Sequence, residues 1–160
     1  MNTDNRETIV AELVELINIG NAHVSFEKAV ASLPEDLRTV VPEGLPYSIW
    51  QLVEHMRITQ KDILTFSLSA DYEEINWPDD YWTPNKDKVE DEEWENSLKS
   101  IKVDRESFFA LLRDDKRDLF EVFEWGTGQS LFREAVLIAD HNSYHTAEIV
   151  VIRRILKSWK

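Results

Sequence analysis

The chain of 160 residues contains no cysteine. Disulfide bonds, thiolate metal ligands and a cysteine nucleophile are therefore excluded, and any bound metal must be held by nitrogen and oxygen atoms. Glycine is also scarce, and none of the four glycines belongs to a Gly-rich phosphate loop or a Gly-x-Ser-x-Gly elbow. The sequence thus argues against nucleotide-dependent and serine-hydrolase chemistry.

Basic residues are few: 18 Lys and Arg stand against 31 Asp and Glu, a formal charge of −13. Such a charge disfavours phosphate backbones and anionic lipid surfaces, so we expect neither nucleic acid nor a membrane as a partner. No run approaches the roughly 18 apolar residues of a membrane span, and the segment that starts at Met1 lacks a signal-peptide apolar core. We expect a soluble, cytoplasmic protein.

Four segments with apolar residues at three- and four-residue steps predict four helices. They cover about residues 4–32, 48–68, 91–114 and 130–157. Ser48 followed by Gln51 predicts an N-cap for the second helix. The length suits one domain, residues 1–160, and four amphipathic helices in it predict an all-α bundle.

Three of the four histidines have the spacing of a metal site. His141 and His145 are four residues apart in the last predicted helix, which places their Cβ atoms roughly 5–6 Å apart on one face. Both imidazoles can then reach one ion at about 2.0–2.1 Å, and His55 of the second helix supplies a third nitrogen. Three neutral imidazoles leave positions on the ion for water or substrate. Spacing alone leaves open the alternative that each histidine only satisfies local hydrogen bonds.

Two metal chemistries are disfavoured by the neighbours of these histidines. A zincin protease needs His-Glu-x-x-His, but Asn142 occupies the glutamate position. A di-iron bundle needs Glu-x-x-His on two helices, and no histidine in this chain has a glutamate three residues before it.

The fourth histidine, His23, falls on the apolar face of the first predicted helix, so we expect it to point into the bundle. Two interpretations stay open: a buried imidazole hydrogen-bonded to a nearby acceptor, or an acid/base group in the pocket. Glu54, Glu134 and Glu148 are candidates to accept the second N–H of a ligating histidine. Glu148 is the weakest of the three as a direct ligand.

Taken together, these motifs resemble the DinB superfamily, which includes the YfiT-like proteins. The resemblance rests on Ser48-Ile49-Trp50-Gln51-Leu52-Val53-Glu54-His55-Met56-Arg57 and the residues that continue it to Ile63, Trp77-Pro78-Asp79-Asp80-Tyr81-Trp82, Arg133-Glu134, Asp140-His141-Asn142-Ser143-Tyr144-His145, and Arg153-Arg154. It implies a four-helix bundle of up-down-down-up topology. It also implies a metal triad of His55, His141 and His145 that holds one divalent ion, and Zn, Ni, Fe and Mn suit these ligands alike.

The same resemblance implies a function. Several members of the superfamily are similar to S-transferases and isomerases that use bacillithiol, mycothiol or glutathione, which predicts metal-dependent activation of a low-molecular-weight thiol. A non-catalytic metal-binding module of a stress response and a metal-dependent hydrolase are the alternatives. The aromatic loop at residues 77–82 is either a lid or a core plug, and it and Arg57 are where specificity for a small-molecule substrate would reside.

We also expect the protein to form a homodimer. The final predicted helix is apolar on more than one side, which exceeds what one core-facing stripe requires. Dimers are common in the family that the chain resembles. A helix buried on most of its sides would explain the same surplus.

Overall fold

The computed structural model describes residues 3–159. Met1 and Asn2, which begin the segment predicted to lack a signal-peptide core, lie outside the described residues, as does Lys160. Within that range the chain forms five α-helices and no β-strand. The helices are α1 (Thr3–Ile19), α2 (Phe26–Val30), α3 (Ile49–Leu68), α4 (Asp91–Arg113) and α5 (Leu131–Ile155). The all-α prediction is confirmed, whereas the single domain over residues 1–160 stays a prediction. None of the helices in residues 3–159 is both long and apolar enough to cross a bilayer.

The first helix is shorter than predicted. The expectation of one helix over residues 4–32 is wrong, because α1 ends at Ile19 and Gly20 takes a left-handed conformation with φ of +64°. Glycine adopts this conformation without the steric cost that a side chain imposes, and it commonly ends helices in this way. The amide of Gly20 still bonds to the carbonyl of Leu16 at 3.1 Å. A short loop and the five-residue helix α2 follow, capped by Ser25.

The other three helices lie within two residues of their predicted limits. Ser48 caps α3: its hydroxyl accepts from the amide of Gln51, whose side chain accepts from the Ser48 amide in return. This reciprocal capping box confirms the predicted start of the helix. Ser130 caps α5 through the amide of Arg133. The acidic first turn of α4 lies at the positive end of its helix dipole.

Helices α3 and α4 run in the same direction. Trp50 near the start of α3 packs against Trp94 near the start of α4, with ring centroids 6.4 Å apart. Near the middle of the two helices, the side-chain amide of Gln60 donates to the carbonyl of Ile101 at 2.6 Å. The two helices therefore lie side by side and parallel from their starts to their middles.

Helices α1 and α5 run opposite to that pair. Arg6 near the start of α1 donates to the carbonyls of Leu112 and Asp114 at the end of α4, at 3.1 and 2.7 Å. Leu131 at the start of α5 shares an apolar cluster with Ile63 near the end of α3. The order along the chain is therefore up, down, down, up for α1, α3, α4 and α5, as the resemblance implied.

The core consists of two apolar clusters, one toward each end of the bundle. One cluster is built around Trp50, Leu52, Met56, Trp94, Ile149 and Ile152, and the other around Leu13, Ile63, Phe108, Phe109, Leu131 and Ile138. On α5, His145 lies between the residues of the two clusters, and on α3, His55 lies at the edge of the first cluster. Gln60 and Thr146 are also buried in this region. The histidines therefore lie in a polar layer inside the bundle rather than at its surface.

Several apolar residues of α5 remain on the surface. Val136, Val151 and Ile155 are 42%, 48% and 50% exposed, and helical geometry places them on one side of the helix with Tyr144. Burial in the monomer therefore accounts for part of the apolar surplus of α5 and leaves this one side open. The homodimer stays a prediction, and this side of α5 is the surface on which a second copy would pack.

The dimer prediction can be tested by light scattering at micromolar concentration. We expect the mass of a dimer for the wild-type protein and of a monomer for Val151→Glu, because a charge in an apolar interface costs several kcal/mol. Glu121→Gln, in the exposed connection between α4 and α5, is the control and should stay dimeric. A monomeric wild-type protein would contradict the prediction.

Candidate metal centre

Three imidazoles converge in the middle of the bundle. His55 comes from α3, and His141 and His145 come from successive turns of α5, with their rings 4.4 Å apart. One nitrogen of each residue lies within 4.8 Å of those of the other two. The Nε2 atoms of His55 and His141 are 3.0 Å apart. The structure thus brings together the three histidines that the sequence analysis singled out.

The ring of His55 is fixed by the loop that connects α3 to α4. Its Nδ1 lies 2.9 Å from the carbonyl oxygen of Tyr81. Because a carbonyl can only accept, the proton is on Nδ1, and the lone pair of Nε2 faces the other two histidines. Trp82 stacks on the same ring, with centroids 4.0 Å apart and planes 4° from parallel. Trp82 also packs against the apolar cluster around Trp50, so the two interpretations of the aromatic loop, a lid or a core plug, both stay open.

The ring of His145 is fixed from within α5 and from the segment before α3. Its Nδ1 donates to Oε2 of Glu148 at 2.7 Å. The other oxygen of that carboxylate accepts a hydrogen bond from the hydroxyl of Tyr47. Tyr47 in turn stacks on Trp82, at 5.3 Å and 11°. Contacts therefore run in a closed circuit from His55 through Trp82, Tyr47 and Glu148 to His145.

All three histidines are uncharged at neutral pH. Burial first, and then the proximity of His145 and His55, lowers the pKa of His141 to about 3. Burial also lowers the pKa of His55 and of His145, against the hydrogen bonds to Tyr81 and Glu148 that raise it. Neutral imidazole is the form in which histidine binds a metal.

These features fit a divalent cation. Each ring can turn one nitrogen lone pair to a shared ion, and the second nitrogen of two of the rings is tied to an oxygen acceptor, as is usual for ligating histidines. Among residues 3–159, no other group of His, Asp and Glu side chains has this compactness. Three imidazoles do not select among Zn, Ni, Fe and Mn.

Of the three glutamates predicted to support the histidines, only Glu148 does so. Glu54 is bound instead by Arg57, through bonds of 2.9 and 2.8 Å, and by Ser97 at 2.7 Å. Glu134 is buried and paired with its neighbour Arg133 at 2.6 Å. Arg57, expected to contribute to specificity, lines a different cavity against α4. Glu54 and Glu134 do not hold a histidine because an arginine close in sequence binds each of them. The role of Arg57 in specificity stays a prediction.

His23 lies elsewhere than expected. Because the helix breaks at Gly20, His23 is not part of it, and the prediction that His23 points into the bundle is wrong. The ring of His23 is exposed, and its Nδ1 donates to the carbonyl of Val24 at 2.8 Å. The ring packs over Gly20, where a Cβ atom would come within 2.6 Å of it. Its role as a pocket acid/base group stays a prediction.

Three residues that hold the histidines were missed by the sequence analysis in these roles. They are Tyr47, Tyr81 and Trp82. Tyr81 acts through its backbone carbonyl, which leaves no trace in a side-chain pattern. Glu148, in contrast, was among the predicted acceptors, because a carboxylate three residues after a helical histidine lies on the same face of the helix.

A helical bundle with three convergent imidazoles, as in this protein, is typical of metal-binding bundle proteins. The sequence model of the DinB superfamily matches residues 21–149, well over half of the chain. The chain therefore belongs to the DinB superfamily, a metal-binding family. Neither a curated protein nor a solved structure matches it significantly.

Replacing Glu148 should weaken metal binding without removing a ligand. We expect Glu148→Gln to reduce the affinity for Zn by about 10- to 100-fold, because the amide no longer holds a charged acceptor against His145 Nδ1. Titration against a competing chelator measures the change. Glu54→Gln, a buried carboxylate bound to Arg57, is the matched control and should leave the affinity nearly unchanged; equal effects of the two variants would contradict the assigned role.

The metal-free protein should lose stability as the pH falls below 6.5. Folded His141 has a pKa near 3 whereas unfolded histidine titrates near 6.5, so protons bind first to the unfolded state. At pH 5 this one group removes up to about 2 kcal/mol from the free energy of unfolding. Urea unfolding of chelated protein at pH 7.5 and 5 should show a smaller loss in His141→Gln than in the wild type. An identical loss would show that His141 is not the group responsible.

Proposed function

We propose that the protein is a metal-dependent transferase that adds an external low-molecular-weight thiol to a small electrophile. The observation that carries the proposal is the triad itself: three neutral imidazoles with a shared centre and two rings held by acceptors. A divalent ion bound there would have free positions and would favour the thiolate form of a coordinated thiol at neutral pH.

The chain supplies no thiol of its own, since it has no cysteine. A sulfur nucleophile must therefore enter with a second molecule. In the reaction the sulfur forms a bond to carbon of the electrophile, a halide leaves or an epoxide ring opens, and the thiol proton passes to solvent or to the released oxygen. Membership of a superfamily that includes thiol transferases supports this reaction over the alternatives.

The protein groups around the triad position and shield it. Tyr81 and Glu148 fix which nitrogen of His55 and of His145 carries the proton. Trp82, stacked between His55 and Tyr47, covers one side of the cluster with apolar surface. Exclusion of water from that side strengthens electrostatic interactions at the centre.

Two other functions remain as alternatives. Hydrolysis would use the same triad, with water in place of the thiol. A non-catalytic module would use the ion for stability alone. Removal of metal distinguishes the non-catalytic module from the two enzymes: loss of a structural ion lowers the thermal midpoint strongly, whereas loss of a catalytic ion lowers mainly the rate.

The metal requirement can be measured directly. After purification without a nickel column, elemental analysis should find one divalent ion per wild-type chain. Alanine at His55, His141 or His145 should abolish it, and His23→Ala, whose ring lies outside the cluster, should retain it. Metal-free wild-type protein that also refuses added Zn, Ni and Mn would end the metal hypothesis.

The reaction itself is tested by a matrix of thiols and electrophiles. Bacillithiol, glutathione, mycothiol and coenzyme A are each combined with a haloaromatic and an epoxide. We expect a metal-dependent rate with at least one pair and a fall of about 100-fold or more in His145→Ala, since electrostatic stabilisation is usually the largest catalytic contribution. A rate no higher than background for every pair would favour the hydrolase or the non-catalytic module.

A further inference from the structure

A cavity of about 520 Å³ lies between the end of α3, the start of α5 and the two loops beside them. Its walls include four aromatic rings, Phe66, Tyr72, Tyr81 and Trp125. Phe66 and Tyr72 meet edge to face at 5.2 Å, and the indole N–H of Trp125 donates to the carbonyl of Phe66 at 2.9 Å. The volume is that of a small-molecule site, and the aromatic walls are held in place.

A carboxylate is fixed among these rings. Asp62 accepts hydrogen bonds from the hydroxyls of Tyr72 and Tyr81, at 2.8 and 2.6 Å, one on each oxygen. Each carboxylate oxygen has two acceptor sites, so both retain one for a further donor. The two phenols therefore orient the negative charge without neutralising it.

Negative charge exceeds positive charge around the cavity. Glu74 and Glu134 also line it, and Arg133 is the one Lys or Arg side chain that does. Arg133 is already bound to Glu134, at 2.6 Å. Among the ion pairs of the described residues none involves Asp62 or Glu74, so the cavity keeps two acidic groups without a cationic partner. Burial and the charge of Asp62 raise the pKa of Glu134, although the bond to Arg133 lowers it.

We propose that this cavity binds a small organic cation, an amine or a quaternary ammonium compound. Aromatic faces attract such a cation through their quadrupoles, and a carboxylate beside them adds a charge of opposite sign. An anion would meet the uncompensated charge of Asp62 and Glu74. This site goes beyond the proposed transferase function and does not depend on the metal. Tyr81 belongs to both sites, since its hydroxyl binds Asp62 and its carbonyl binds His55.

Choline and its neutral isostere 3,3-dimethylbutan-1-ol are the probes. Each is titrated into the full-length protein while NMR follows the indole N–H of Trp125 and the amide of Thr127, both in the cavity wall. We expect choline to shift these signals and to bind at least about fivefold more tightly than the alcohol, which has the same shape without the charge. Equal binding of the two, or shifts spread over other surfaces, would overturn the proposal.

Variants separate the charge from the aromatic wall. Asp62→Asn should weaken choline binding by about tenfold or more, since it removes a charge in contact with the ligand. Trp125→Leu keeps apolar bulk but removes the ring, and should weaken binding by about fivefold. Glu92→Gln removes the same charge from the start of α4, at the other end of the bundle, and should change binding less than twofold.

The folded state of each variant is checked by circular dichroism and thermal unfolding. Should Asp62→Asn unfold because Tyr72 and Tyr81 lose an acceptor, Glu74→Gln provides the test, since the exposed side chain of Glu74 forms no ion pair within residues 3–159. Weaker binding in that variant than in Glu92→Gln supports the proposal. Indistinguishable affinities of Glu74→Gln and Glu92→Gln, with Trp125→Leu also unchanged, overturn it.

Discussion

The protonation state of three imidazoles, two of them buried and one half-buried, is the constraint on which the centre depends. A neutral imidazole has one donor nitrogen and one acceptor nitrogen, so a lone pair faces the cluster only if the other nitrogen is held by an acceptor. For His55 that acceptor is the backbone of Tyr81, and for His145 it is Glu148. One comes from the long loop after α3 and the other from the next turn of α5. The loop is therefore as much a part of the centre as the helices are.

Hydrogen bonds satisfy part of the polar layer inside the bundle, where an unpaired buried polar group costs about 1–3 kcal/mol. Oε1 of Gln60 and Nε of Arg105 are buried without a hydrogen-bond partner. Gln60 reaches the carbonyl of Ile101, and Arg105, also buried, binds Glu27 of α2 at 2.5 Å. Helix α2 thus provides an acceptor that a continuous first helix would have placed elsewhere. The two apolar clusters above and below the layer offset its cost through burial of large side chains. Separation of the core into two clusters is what leaves room for the imidazoles.

Sequence patterns predicted what depends on local spacing. The limits of α3, α4 and α5 follow from caps and apolar periodicity, and the pairing of His141 with His145 follows from a four-residue step. The prediction of where α1 ends was wrong for a local reason as well. Gly20 followed by a polar residue indicates a helix C-terminus, but apolar residues that continue to Val30 suggested that the helix goes on. Contacts through backbone carbonyls and stacked loop rings could not be predicted, because neither Tyr81 nor Trp82 stands at a periodic position. Those contacts are set by tertiary packing.

The double role of Tyr81 has a thermodynamic consequence. Its phenol lies in the aromatic cavity on Asp62, while its carbonyl holds the proton of His55. A molecule that alters the position of the phenol therefore acts on the acceptor that orients a ligating nitrogen. Coupling of this kind is reciprocal: any effect of an occupied cavity on metal affinity must appear as an equal effect of metal on affinity in the cavity. The loop at residues 77–82 contacts both the histidine cluster and the proposed cation cavity, so a ligand in one site would change the affinity of the other through this loop.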